Sequence, residues 1–174
     1  MALGLETWTR RTGRRIRQED VEPLTWALGE TGDTIGAMGL LSAHAWLTEA
    51  TRDIAPWWPD GTGNGAGTTG DGGFDLLLTP TLAEPPVPLG TFASPPDNPL
   101  AGLFRAGAFC PLTPPFNVTG QPAISLPLHW TPTGLPVGVQ LVAAYGAEDV
   151  LIRVAAQLEE ARPWAARRPP VAAS

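Results

Sequence analysis

Residues 111–128 read PLTPPFNVTGQPAISLPL, and the end of that stretch decides the fold. Ile124, Leu126 and Leu128 alternate with Ser125, Pro127 and His129, a period of two that sends the apolar side chains to one side of a strand and the rest to the other. Thr131, Pro132, Thr133 and Gly134 are turn formers. Pro136-Val137-Gly138-Val139-Gln140-Leu141-Val142 then resumes a strand pattern, so the two segments predict a β-hairpin-like pair.

Downstream of the hairpin, Glu148 and Asp149 suit the first turn of a helix whose apolar face is Leu151, Val154, Ala155 and Leu158, with Arg162 at its end and Pro163 as the stop. Upstream, Leu100, Leu103 and Phe104 fit one face of a short helix. Before them, Pro80, Pro85, Pro86, Pro88, Pro95, Pro96 and Pro99 hold a loop extended over the surface and deny it ladder hydrogen bonds. The nearly continuous apolar run from Phe74 to Pro80 predicts a strand covered on both faces.

Residues 59–73, PDGTGNGAGTTGDGG, hold seven glycines and no large apolar side chain, which predicts a flexible loop. A phosphate-binding reading fails because that motif needs a lysine. Further back, Leu40, His44, Leu47, Thr51, Ile54 and Trp58 recur at helical steps and read as a buried stripe. Asp20 reads as the N-cap of a helix through about Leu28, broken by Gly29 and Gly32. The organisation is therefore a basic start and helical segment over 1–58, the glycine-rich loop over 59–73, and an α/β part over 74–174. Strands mixed with helices imply an α/β architecture with a mixed central β-sheet flanked by helices.

The 174 residues include eleven arginines and no lysine, so no neutral lysine base is available within the chain. A net charge of −6 argues against a dedicated nucleic-acid binder. Arg10, Arg11, Arg14, Arg15 and Arg17 are a local exception, read as a solvated or ion-paired helix face. Cys110 is the single cysteine, and no apolar run approaches a membrane span or a signal peptide. A cytoplasmic protein with no membrane association is the expectation.

The inventory of chemistry is thin. Ser42, Ser94, Ser125 and Ser174 lie in no nucleophile motif. His44 sits on the apolar stripe, where a hydrogen-bonded core role fits better than catalysis. Cys110 precedes Pro111 at a helix end and gains no activating helix N-terminus. Two histidines without a third ligand nearby predict no metal site, and no cofactor is expected. The pairs Glu148-Asp149 and Glu159-Glu160 point in different directions and read as solvated. The residues thus describe an α/β domain without a self-contained active site.

Three ordered motifs carry more. Phe74-Asp75-Leu76-Leu77-Leu78-Thr79-Pro80-Thr81, the run from Pro115 to Pro127 (PFNVTGQPAISLP), and the run from Gly134 to Val142 (GLPVGVQLV) together resemble the amidase signature family. The resemblance covers the carboxyl-terminal part of that family's catalytic domain. It implies hydrolysis of a carboxamide by a serine nucleophile, activated through a bridging serine in a cis peptide and a neutral lysine, with an oxyanion hole nearby. Those elements precede the matched region, so no residue here receives a catalytic role. By resemblance, Thr79 and Thr81 at a strand end, with Asn117, Thr119, Gly120 and Pro122 in a turn, form scaffold on the substrate side. Gly120 and Gly138 are expected to permit positive φ or close backbone approach.

Two functions follow as expectations. One is an amidase fragment, inactive alone, whose partner is the family's missing amino-terminal part or a second copy; an amide substrate then belongs to the complete enzyme only. The alternative is a non-catalytic interaction or structural subunit that completes a partner's fold, because seven tryptophans and several apolar stripes imply surface to be covered.

Overall fold

The computed structural model describes residues 1–58 and 74–168. The glycine-rich segment 59–73 and Ser174 lie outside the described residues. The chain divides into two compact units, one made of Met1–Trp46 and Val87–Phe109, the other of the described parts of Leu47–Pro86 and Cys110–Ser174.

In the first unit, α1 (Ala2–Thr12) packs on α2 (Pro23–Thr34). The Asp20 expectation is corrected. Its carboxylate serves the 3-10 turn Gln18–Asp20, accepting the Arg17 backbone N–H at 2.9 Å and the Arg14 guanidinium at 2.8 and 2.9 Å. The helix itself opens at Pro23, where a missing N–H costs nothing. It also continues through Gly29 and Gly32 rather than stopping near Leu28. Packing is the reason: a Cβ on Gly29 would stand 2.6 Å from Leu5 Cδ1, and one on Gly32 3.1 Å from the Ala2 Cβ. Close approach offsets the helix penalty of about 0.5–1 kcal/mol that glycine carries.

Four of the five arginines in the run have a partner. Arg10 meets Glu6 at 3.4 Å, Arg14 meets Asp20 at 2.8 Å, Arg17 meets Glu19 at 3.7 Å, and Arg11 lies over the Trp8 ring. In the same unit, α4 (Ala101–Phe109) forms as expected, but Gly102 is its buried residue, while Leu103 and Phe104 are exposed. The Gly102 N–H donates to Ser94 Oγ at 3.0 Å, which ties the proline-rich loop to the helix.

Helix α3 (Ala37–Ile54) spans the boundary between units. The buried stripe expected along it is corrected: Leu40 is 65% exposed, and His44 is exposed too. Only at its far end do Ile54 and Trp58 reach a core. Periodicity shows that a face can be buried, not that this chain supplies the cover.

The second unit is built on a sheet ordered β1-β3-β2, from β1 (Leu76–Pro80), β2 (Ala123–Trp130) and β3 (Pro136–Ala143), all antiparallel. The hairpin forms as read. Its register shifts between Leu126 and His129, where Pro127 has no N–H to give the ladder. Strand β1 is corrected from a strand covered on both faces to an edge strand among the described residues, with Leu78 63% exposed. Pro80 fits there, because an edge tolerates a residue that cannot donate. One face of the sheet packs Leu126, Leu141 and Ala143 against Leu151 of α6 (Glu148–Ala161). The other packs Val142 against Trp58 and against Phe116 of α5 (Pro114–Thr119). No helix among the described residues is long and apolar enough to cross a membrane.

Candidate functional site

Antiparallel register places Thr79 opposite Gln140, and Gln140 opposite Ser125, on the sheet face away from α6. Gln140 is 4% exposed, and a buried amide requires partners. Its Nε2 donates to Thr79 Oγ1 at 3.1 Å and to the Leu112 carbonyl at 3.3 Å. One step along, the hydroxyls of Thr81 and Ser125 pair at 2.6 Å, while the Thr81 N–H donates to the Gly138 carbonyl at 3.0 Å. The pair sits over Gly138, where a Cβ would stand 2.7 Å from Thr81 Oγ1 and 2.8 Å from Ser125 Oγ. Close approach at Gly138 is thus a real requirement.

The second half of the site surrounds α5. Asn117 and Thr119 lie in this short helix rather than in an open turn, and Gly120 ends it with φ +84°. Thr119 is buried; its hydroxyl meets the Pro115 carbonyl at 3.0 Å and the Gln121 side-chain oxygen, while Asn117 is exposed. Pro122 gives its carbonyl to the Ala143 N–H at 3.1 Å, which locks the turn to the end of β3. Phe116 presents its ring edgewise to Trp58, centroids 6.5 Å apart. The Trp58 indole N–H is buried and has no hydrogen-bond partner among the described residues.

The six expected residues thus fall in one unit as two groups, Thr79 and Thr81 on the sheet end and the other four around α5, with Gln140 between β1 and Leu112. Gln140 and Ser125 complete the network, outside the six residues that the resemblance singles out. A polar residue at an inward strand position was the available signal. Chemically, the Thr81 N–H ties backbone to the Gly138 carbonyl, and the group that faces Ser125 is another neutral hydroxyl, a weak base on its own. Among the described residues, no three His, Cys, Asp or Glu side chains converge to hold a metal.

A hairpin-centred sheet with these motifs in this order defines a class. The Amidase family model matches residues 21–152, and the chain belongs to that family. It is 38% identical over 162 residues to the 6-aminohexanoate-cyclic-dimer hydrolase of Paenarthrobacter ureafaciens, covering 90% of this chain and 30% of the relative. The putative amidase AmiC of Mycobacterium tuberculosis (strain ATCC 25618 / H37Rv) is 48% identical over 94 residues, 54% of this chain and 20% of its own length. A solved 6-aminohexanoate cyclic dimer hydrolase bound to substrate superposes with a TM-score of 0.84 at 35% identity, over 97% of this chain and 34% of that one. The chain therefore spans about a third of the length of the 6-aminohexanoate-cyclic-dimer hydrolases it matches.

Proposed function

We propose that this chain acts as the carboxyl-terminal part of an amidase-signature amidohydrolase, cleaving a carboxamide C–N bond only when joined by the part that carries the serine pair and lysine. The observation that carries the reading is a fold match over nearly the whole chain to a third of an amidase, in a sequence that contains no lysine. In this reading Thr79, Thr81, Asn117, Thr119, Gly120 and Pro122 hold backbone on the substrate side, and the chain works in the cytoplasm. Its partner is the amino-terminal part of an amidase catalytic domain. The Trp58 N–H, without a partner among the described residues, supports this, since a buried donor left unsatisfied costs about 1–3 kcal/mol and an acceptor from outside would remove the cost.

The test is turnover. The purified chain, offered simple aliphatic and aromatic amides and the cyclic dimer of 6-aminohexanoate, is expected to release no ammonia or amine above blank. Turnover abolished by a point change within this chain would overturn the reading. A second reading, a non-catalytic interaction subunit, is favoured by the exposure of Met38, Leu41 and Trp46 on α3, at 74%, 62% and 66%. It predicts a stable complex with a partner that already holds a complete catalytic set.

A further inference from the structure

Away from the motifs, the hairpin turn and the chain beyond α6 flank a half-open cavity of about 820 Å³, within the range of small-molecule sites. Trp130, Leu135 and Pro136 line it from the hairpin; Trp164, Arg167 and Arg168 line it from the other side. Both walls are braced. Across the turn, the Thr131 N–H donates to the Leu135 carbonyl at 2.9 Å and the Leu135 N–H to Thr131 Oγ1 at 3.0 Å. Trp164 packs against the α6 core, and the Arg167 N–H donates to the Trp164 carbonyl at 2.9 Å.

Arg167 lies 4.1 Å over the Trp130 ring centroid. Stacking occupies one face of the guanidinium and leaves its in-plane N–H groups for a planar anion. No carboxylate lines the cavity, and neither Arg167 nor Arg168 forms an ion pair among the described residues, in a chain whose net charge is −6. Two cations thus stay together beside an apolar wall, without an acidic partner among the described residues.

We propose that this cavity binds a small carboxylate with an apolar body, the acid group held by Arg167 and Arg168 and the body lying against Trp164, Leu135 and Pro136. The proposal is independent of amide hydrolysis and needs no turnover. A fork of guanidinium N–H groups matches a carboxylate in two parallel hydrogen bonds, which a neutral amide cannot replace.

The test uses the full chain labelled with ¹⁵N, in which Trp130→Phe and Trp164→Phe assign two indole N–H signals, titrated with 4-phenylbutyrate and with 4-phenylbutyramide. The acid is expected to shift both signals saturably and to bind at least tenfold more tightly than the amide. Arg168→Gln, at an exposed position, is expected to weaken acid binding at least tenfold, and Arg167→Lys by less, since charge remains without the fork. Equal binding of acid and amide, undiminished binding in Arg168→Gln, or no saturable shift would overturn the proposal. Because the readout is binding, these outcomes are separate from any result of the amidase assay.

Discussion

Glycine positions separate what a residue costs from what its neighbours allow. A Cβ on Gly102 would collide with the backbone carbonyl oxygen of Phe92, which cannot swing aside, whereas the atom facing Gly29 is the end of the flexible Leu5 side chain. We expect Gly102→Ala to destabilise its unit by about 3 kcal/mol, the upper end of ordinary overpacking, as read by the midpoint of urea unfolding. Gly29→Ala is expected to be near neutral, because the helix gains about 0.5–1 kcal/mol of propensity against a small shift of Leu5. Asp20 makes a prediction in pH. The Arg17 backbone N–H, and after it the Arg14 side chain, hold its carboxyl below the ordinary value of 3.8. A folded-state pKa below the unfolded one means that this stabilisation is complete above 3.8 and is lost as pH falls through the lower, folded-state value. Carboxyl-carbon NMR should give a midpoint below 3.8, and Arg14→Gln should raise it only part of the way, since the larger cause remains.

Element by element, the hairpin and α6 were legible because each advertises its own boundary. Ile124, Leu126 and Leu128 repeat at the strand period and face the α6 core, and Glu148 opens the helix where its carboxylate meets the positive end of the backbone dipole. Other elements depended on neighbours. Gly29 looks like a helix breaker until Leu5 is seen against it, and β1 looks fully covered until its place at the sheet edge is known. Helix α6 offers the sharpest mutational contrast. Leu151 is 3% exposed within the core formed with Leu126 and Leu141, whereas the next residue, Ile152, is 65% exposed. Leu151→Ala is expected to cost about 2–5 kcal/mol and Ile152→Ala under about 0.5 kcal/mol, compared by chemical denaturation.

For the molecule as a whole, the apolar surface left uncovered is the main physical fact. Trp46, Met38 and Leu41 on one helix are each more than half exposed, a density that single surface residues do not explain. The purified chain is therefore expected to self-associate and to bind an apolar dye, with light scattering and dye fluorescence as the measurements; a monodisperse monomer with little dye uptake would remove the case for a missing cover. Sequence alone determined the hairpin, the closing helix, the absence of a lysine base and the family to which the three motifs belong. Those are properties of local period and of residue inventory, which need no knowledge of what lies across the fold. Only tertiary structure decided that Gln140 bridges Thr79 and Leu112, that Thr81 and Ser125 pair over Gly138, and that Arg167 lies over Trp130. Each of these joins residues 28 to 61 positions apart or closes a glycine-sized gap. Such pairings depend on strand register and on where the chain returns, which no local pattern encodes.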